Sequence, residues 1–546
     1  MSGIPRRLLG TLYTAWVLTR ARVLRLDRPD KLVRTALLLK RWGPTPASGY
    51  AISAMRDPHR PAIHDDRGTI TFKELHEQTN ALAHSLRERG VGEGDGVAIL
   101  CRDHAGFIKA TVAASKLGAT VLLLNTSFAA PQIAEVCERE QPRALIYDEE
   151  FIELCSAAGA GRTNVIAWND NPVPAGFTTI DALVAAGAHK DLEPPRDRGR
   201  VVILTSGTTG APKGASRHQP RTLDPAAKLF SRIPLRARET TVISSPLFHS
   251  WGYAHFTLGL ALSSTLVLHR RFDPEGVLGS IERYRASALV LVPLMLQRVI
   301  ELGPEKIHRY DTSSLRVIAA SGSALPGELA LRVMDSFGDV LYNLYGSTEV
   351  AWATIASPRQ LRAAPGTAGT PPRGTKLRLF DKDGNERRRP GETGRIFVHN
   401  EMVMDGYTTG DGKTELDGLI ATGDVGYVDR EGRLFVSGRD DEMIVSGGEN
   451  VFPREVEDLL AEYPGVEDVA VIGVHDREFG ERLRAFIVPE AGTEIDAEAV
   501  KAYVRDNLAR FKVPREVLFV EELPRTATGK VLKRMLDRGE APSVQN

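Results

Sequence analysis

The 546-residue sequence predicts an α/β protein, with a large body of mixed and parallel sheets flanked by helices and a small α+β unit near its C-terminal end. Three observations carry this expectation. Short apolar runs alternate with helical patterns through the first part of the chain, which implies parallel strands joined by helices on both sheet faces. The length exceeds what one ordinary core supports, so two or more domains are expected. Strand patterns at 468–474, 485–488 and 517–520, with helical patterns at 453–461 and 497–508, form a further unit of their own.

Taken in order, Arg6 and Arg7 precede Leu8, Leu9, Leu12, Tyr13, Trp16 and Val17 at helical spacing. Arg20, Arg22 and Arg25 follow, and a second helical stretch runs from Asp30 through Leu37, Leu38 and Leu39 to Gly43. A basic helix with Trp and Leu on one side can lie among lipid headgroups, so residues 1–43 are expected either to touch a membrane or to pack on their own body. A Pro/Ser/Gly link at 43–48 closes this segment, leaving 49–440 as the body and 441–546 as the small unit. Thr71 and Glu74 make a capping box that opens a helix running to Gly90. Then come a strand at 97–101, a helix at 105–117 stopped by Gly118, a strand at 120–124, a helix from Pro131 and a strand at 144–147. Residues 193–199, rich in Pro and charge, read as a linker.

Composition narrows the function. The 70 basic and 70 acidic side chains balance, so no global field points to nucleic acid. Cys101, Cys137 and Cys155 lack metal-ligand spacing and read as buried thiols of a reducing cytosol. No apolar run reaches the roughly 18 residues that span a bilayer.

The chemistry is concentrated in loops that follow strands. The strand pattern at 201–204 empties into Thr205, Ser206, Gly207, Thr208, Thr209, Gly210, Ala211, Pro212, Lys213 and Gly214. Glycines bring successive N–H groups close to an oxyanion, the hydroxyls add donors, and Lys213 adds a point charge. This is a polyphosphate cradle, but not the Walker loop, since Pro212 and Gly214 stand where Gly and Ser or Thr are required. Ser245 to Gly252 brings Phe248, His249 and Trp251 together after a strand pattern at 242–244. A strand pattern at 289–296, running through Pro293, adds Val292 and Leu294 to an expected apolar pocket. Gly322, Ser323 and Ala324 follow a strand at 315–318, where small residues let a flat ring lie against the backbone. Tyr345, Gly346, Ser347, Thr348 and Glu349 follow a strand at 340–342, and Glu349 is placed to hold Mg²⁺ beside phosphates. Asp424 sits in a turn suited to ribose hydroxyls, residues 432–439 give a short strand, a turn and Arg439, and Pro524 to Lys530 ends in a lone Lys on a Gly-containing loop.

Together and in this order, the motifs resemble those of the adenylate-forming superfamily of acyl-CoA synthetases, peptide-synthetase adenylation domains and firefly-type luciferases. The resemblance covers about Pro61 to Lys533. It implies that a carboxylate attacks the α-phosphate of ATP, and that a thiol then takes the acyl group from the adenylate and releases AMP. By the same resemblance, Lys530 bridges the reacting carboxylate and phosphate, His249 borders the carboxylate end of the acid pocket, and Tyr345 stacks on adenine. Asp424 and Arg439 hold the ribose, and Glu349 with Thr205 serves the metal. Asp441 is the hinge of a mobile C-terminal domain, and Gly447, Gly448 and Glu449 lie on the coenzyme A side. ATP, Mg²⁺ and coenzyme A are the implied cofactors and co-substrates. Two departures stand out: 420–422 lacks the aromatic and Arg often found before the Asp, and Asn450 occupies a place where some relatives carry Arg.

The expected activity is an acid–thiol ligase acting on a medium- to long-chain fatty acid, in the cytoplasm or on the inner face of the cell membrane. Rival expectations are handover to a carrier protein, a luciferase-like oxygenase, and a membrane-associated acyl-binding or transport protein. The sequence leaves oligomeric state open.

Overall fold

The computed structural model describes residues 6–24, 27–205, 212–410, 412–446, 449–476, 480–508, 510–526 and 529–538. Two eight-stranded sheets form the body, each with six parallel strands, central in the first and reaching one edge in the second. The first runs Thr354–Ala356, Leu341–Tyr345, Val317–Ala320, Ala288–Leu291, Thr240–Ile243, Thr265–Leu268, Pro61–Asp65 and Gly68–Thr71, its two edge pairings antiparallel. The second runs Gly406–Tyr407, Lys213–Arg217, Val201–Thr205, Thr120–Leu123, Gly96–Leu100, Ala144–Tyr147, Thr163–Ile166 and Thr178–Thr179. Its central strands are apolar throughout because helices cover both faces, and Val97, Ala98, Ile99 and Leu145 are wholly buried. The alternation expected from sequence is what was found. The helix Ala105–Leu117 ends on Gly118 in the left-handed region, φ 72°, and the Thr71–Glu74 capping box is made in both directions.

Three expectations needed correction. Residues 289–296 are not one strand: Ala288–Leu291 is the strand, and a helix, Pro293–Glu301, begins at the proline. Proline lacks the N–H that a first helical turn leaves unpaired and has its φ preset, so it starts the helix. Residues 43–48 are not a link either. Thr45 caps a helix that we label α3, Pro46–Arg56, through its hydroxyl and the Ser48 N–H. The third difference is a six-stranded antiparallel sheet built around Lys376–Phe380, Gly394–His399, Leu419–Val428 and Leu434–Arg439, of which the sequence reading held only the last strand.

The C-terminal unit has the expected strands, lengthened into a long hairpin of Val466–Asp476 against Gly480–Pro489, with Glu516–Phe519 parallel to the latter. The helices Pro453–Ala461 and Ala497–Asn507 cover one face, where Val456, Leu460, Val500 and Val504 are buried.

Two helices precede α3: α1, Arg6–Arg20, and α2, Pro29–Trp42. α1 packs on the body. Val17, Leu18 and Ala21 are buried in the main core, the Arg373 guanidinium lies 4.2 Å from the Tyr13 ring centroid, and Thr14 donates to Asp224. α2 buries no residue completely and is tethered by Lys31 Nζ on the Arg56 carbonyl, 2.7 Å, and by an Arg41–Glu193 ion pair. A buried Arg56–Asp27 pair, 2.8 Å, anchors the turn between them. Among the described residues no helix is long and apolar enough to cross a membrane.

Candidate active site

One continuous cavity of about 1550 Å³ runs between the body and the C-terminal unit and on into the body. Lys213, His249, Trp251, Leu294, Gly322, Ser323, Ala324, Tyr345, Gly346, Ser347, Thr348, Glu349, Asp424, Arg439 and Lys530 all line it. Residues from three sheets of the body and a C-terminal loop, up to 317 positions apart, therefore share one space.

The acidic centre is built by a pairing the sequence does not display. Gly406–Tyr407 joins the edge of the second sheet beside Lys213–Arg217, with Tyr407 opposite Ala215. The Tyr407 hydroxyl then donates to Glu349 Oε1 at 2.6 Å, and Lys413 Nζ stands 3.7 Å from the same oxygen. Burial alone would raise the Glu349 carboxyl, but Lys413, Tyr407 and Ser347 outweigh it and hold the group below the usual carboxylate range. Glu349 is thus a buried anion beside polar groups in a cavity, which fits a hard divalent cation with oxygen ligands. Arg217 donates to the Thr348 carbonyl at 2.6 Å and fixes the turn, while Lys213 Nζ lies 5.7 Å from the Tyr407 ring centroid. Arg217, Tyr407 and Lys413 were missed by the sequence reading. They are single polar residues with no motif around them, and only the sheet edge gathers them.

A second centre surrounds Asp424. Asp424 lies not in the expected turn but inside the strand Leu419–Val428, whose register against Leu434–Arg439 sets it opposite Arg439, with the guanidinium 3.4 Å from Asp424 Oδ1. Tyr345, at the end of its strand, donates from its hydroxyl to Asp424 Oδ2 at 2.6 Å. Burial raises the Asp424 carboxyl, opposed by the Tyr345 hydrogen bond and by the charges of Arg439, Lys530 and Lys413. Lys530 is exposed, yet its charge reaches Asp424 because Gly529 lies against the body: a Cβ there would come within 2.8 Å of the Leu294 side chain. With φ 80°, Gly529 is both the residue the turn needs and the one the contact permits.

The third centre is apolar. His249 caps the helix Ser250–Leu262, with its Nδ1 accepting the Trp251 N–H at 3.5 Å. That leaves Nε2 as the protonated nitrogen, and burial lowers the imidazole to about 4, so it is neutral at physiological pH. Gly322, φ 99°, brings its backbone beside His249 and Val292, whose Cγ1 would lie 3.2 Å from any Cβ. Of the four expected pocket residues, Trp251 and Leu294 line the cavity while Phe248 and Val292 do not. Phe248 stands in the turn before the helix cap and is 5 % exposed, and Val292 is 1 % exposed; both pack into the core. The helix supplies the wall instead through Ala254, Thr257, Leu258 and Ala261, one face at helical spacing. The cavity continues past them to Ile52 of α3 and to Thr35 and Leu39 of α2.

Of the remaining expected positions, Ser206, Gly207, Thr208, Thr209, Gly210, Gly447 and Gly448 lie outside the described residues. Thr205 ends a strand opposite Lys213, Glu449 starts the strand Glu449–Val451, and Asp441 lies in the short helical turn Asp440–Glu442 between the two units.

The AMP-binding enzyme family model matches residues 51–408, and that of the AMP-binding enzyme C-terminal domain matches 455–530. The chain belongs to the AMP-binding, adenylate-forming enzymes. A feruloyl-CoA synthase of Amycolatopsis is 35 % identical over 488 residues, 88 % of this chain and 96 % of that one. An indoleacetate–CoA ligase of Aromatoleum aromaticum is 33 % identical over 87 % of this chain and 94 % of its own. The o-succinylbenzoate CoA synthetase of Bacillus subtilis, solved with its acyl-adenylate, superposes with a TM-score of 0.79 at 27 % identity, covering 91 % of this chain and 99 % of that one. This adenylate-forming enzyme is an acid–CoA ligase that uses ATP, Mg²⁺ and coenzyme A.

Proposed function

We propose that the ligase activates a flexible apolar acid, a medium- to long-chain fatty acid, and that residues 1–43 hold it against a membrane. The observation that carries this is the lining of the cavity. It does not stop at Trp251 but takes in Ala254, Thr257, Leu258 and Ala261 of Ser250–Leu262 and goes on to Ile52 and Leu39.

In this reading the acid lies along that face with its carboxylate at His249 and Gly322. No general base is required, since a carboxylate is already ionised at neutral pH, and a neutral His249 can donate one hydrogen bond without adding charge. Lys213 and the loop from Thr205 to Gly210 hold the β- and γ-phosphates. Glu349 and Thr205 would hold Mg²⁺, which supplies shielding of the phosphate charge. Gly322 to Ala324 and Tyr345 frame the adenine, Asp424 and Arg439 the ribose. Lys530 bridges carboxylate and α-phosphate and then withdraws about Asp441, so that the thiol comes in past Gly447 to Glu449. Phosphoryl transfer leaves the protein little covalent work, so positioning and electrostatics dominate.

One observation favours a second reading, an aryl acid, in line with the names of the relatives. Tyr253 lines the cavity, and its hydroxyl is buried with no hydrogen-bond partner among the described residues. A ring-hydroxylated acid would satisfy it, and leaving such a group unpaired costs about 1–3 kcal/mol. Straight-chain acids of rising length and ring-hydroxylated aryl acids, each assayed for AMP formation, decide between the two. The fatty-acid reading expects kcat/KM to climb with chain length; an aryl acid turned over far better than every straight-chain acid refutes it.

A further inference from the structure

Of the eight large apolar side chains that are exposed among the described residues, six fall in α1, α2 and the turn between them. Leu12 and Trp16 are each 56 % exposed, Leu24 50 %, Leu32 40 %, Val33 58 % and Leu37 52 %. Leu12 and Trp16 make one i, i+4 stripe, Val33 and Leu37 another. These helices are not loose ends: the buried Val17 and Leu18, the Arg56–Asp27 pair and the Lys31 tether fix them with those faces outward. An apolar patch held open at such a cost marks an interaction surface.

Its charge identifies the partner. Residues 1–43 contain ten Lys and Arg against two acidic residues, a net of +8, whereas the rest of the neutral chain carries a net of −8. Arg20 lies 5.7 Å from the Trp16 ring centroid, an aromatic and a cation side by side, as interfacial anchors are. The segment also lies outside the part of the chain that the family model describes, which starts at residue 51. A second copy of this chain would have to meet +8 with +8. An anionic bilayer meets it with negative charge.

The same segment closes the far end of the cavity. Val23, in the turn after α1, and the half-buried Thr35 and Leu39 of α2 line it together with Ile52. Thr35 and Leu39 share α2 with the exposed Val33 and Leu37, so lipid-facing and cavity-facing side chains are one turn or less apart. We propose that α1 and α2 dock on an anionic lipid surface and that the acid passes from the bilayer into the cavity between α2 and α3, its carboxylate leading and ending at His249. This rests on the apolar-acid reading above.

The test is co-sedimentation of the full chain with vesicles of phosphatidylcholine alone and of phosphatidylcholine and phosphatidylglycerol in equal parts. Binding is expected only to the anionic vesicles, and it weakens as salt rises. Replacing Arg20→Gln and Arg34→Gln together should weaken it by more than tenfold, at roughly fivefold for each cation near the surface. Trp16→Ser with Leu37→Ser should abolish it. Both variants should form AMP at the parent rate from a short acid dissolved in water, and more slowly from a long acid held in anionic vesicles. Equal binding to both vesicles, no binding to either, or unchanged binding by the variants overturns the proposal, as does a dimer that Trp16→Ser with Leu37→Ser dissociates while vesicles are ignored. If vesicles bind as expected but no straight-chain acid reacts, the apolar-acid reading fails and the docking face stands. If straight-chain acids react and vesicles do not bind, only the docking face fails.

Discussion

Ala254 and Ala261 offer a ruler for the substrate. Both belong to the helix Ser250–Leu262, both line the cavity, and they lie seven residues apart. At 1.5 Å per residue that is about 10.5 Å along the helix, or two turns, so the side chains stand one behind the other on the same face. Phe at 254 would plug the channel one turn beyond His249, and Phe at 261 would plug it near α3. Each methylene moved from water into an apolar channel is worth about 0.8 kcal/mol, or roughly fourfold in kcat/KM. Across a series of straight-chain acids, the parent enzyme should gain about that factor per carbon until the channel is full. Ala261→Phe should leave short acids untouched and flatten the rise for long ones, each excluded methylene forfeiting roughly fourfold. Ala254→Phe should flatten it several carbons sooner. The assay is AMP release at subsaturating acid, with thermal unfolding measured alongside to show that both variants fold. Equal losses at every chain length in the two variants would refute the idea that the acyl chain follows this helix, and undiminished turnover of long acids by Ala254→Phe would refute it outright.

Three more outcomes are expected. Lys530→Ala should lose adenylate formation by roughly 10²- to 10³-fold, as removal of one preorganised donor does elsewhere, while thioester formation from supplied acyl-adenylate persists; equal loss of both half-reactions would remove Lys530 from the first step. Glu349→Gln should raise the Mg²⁺ concentration needed for half-maximal AMP release, and an unaltered Mg²⁺ dependence would take Glu349 out of the metal site. Asp103 is buried, accepts the Leu247 N–H at 2.8 Å, and is raised to about 8, chiefly by desolvation. Its folded value lies above the unfolded one, so the native state holds more protons between about pH 4 and 8 and stability falls as pH rises across that window. Asp103→Asn keeps the acceptor and should flatten that part of the stability–pH curve, a result that Tm against pH reads directly; an unchanged slope would mean that the carboxyl is ionised throughout.

The fold was legible where local rules and burial agree. Most central strands of the two large sheets are short and mainly apolar, four or five residues long, and the helices between them carry their own start and stop signals, as Thr71, Glu74 and Gly118 do. Legibility failed where strands are half-exposed. Lys376–Phe380, with Lys, Arg and Leu alternating, and Leu419–Val428, with two glycines inside it, belong to an antiparallel sheet whose one face is wet, and neither shows a continuous apolar run. Pro293 misled for a related reason: an apolar stretch of eight residues fits a buried strand or a buried helix equally, and only the proline's place at the first helical turn separates them.

The site divides along the same physical line. Lys213, Tyr345, Glu349, Asp424, Arg439 and Lys530 could be picked out because each sits in a short motif of small and polar residues, where backbone geometry constrains its neighbours too. Tyr407, Lys413 and Arg217 could not, because what recruits them is a two-residue strand, Gly406–Tyr407, pairing with a strand some 190 positions earlier. Yet two of them, Tyr407 and Lys413, help keep Glu349 ionised in a buried place: remove the Tyr407 hydroxyl and the Lys413 charge, and only Ser347 and the backbone are left to oppose what burial does to the carboxyl. The motif therefore names the ligand, while the long-range pairing sets its charge. The channel teaches the same lesson from the apolar side. Phe248 and Val292 lie beside the motif and looked like its walls, but a helix cap turns one inward and a strand end buries the other. The wall passes instead to Ala254, Thr257 and Ala261, residues whose smallness at helical spacing carries no signal until the space in front of them is known to be empty.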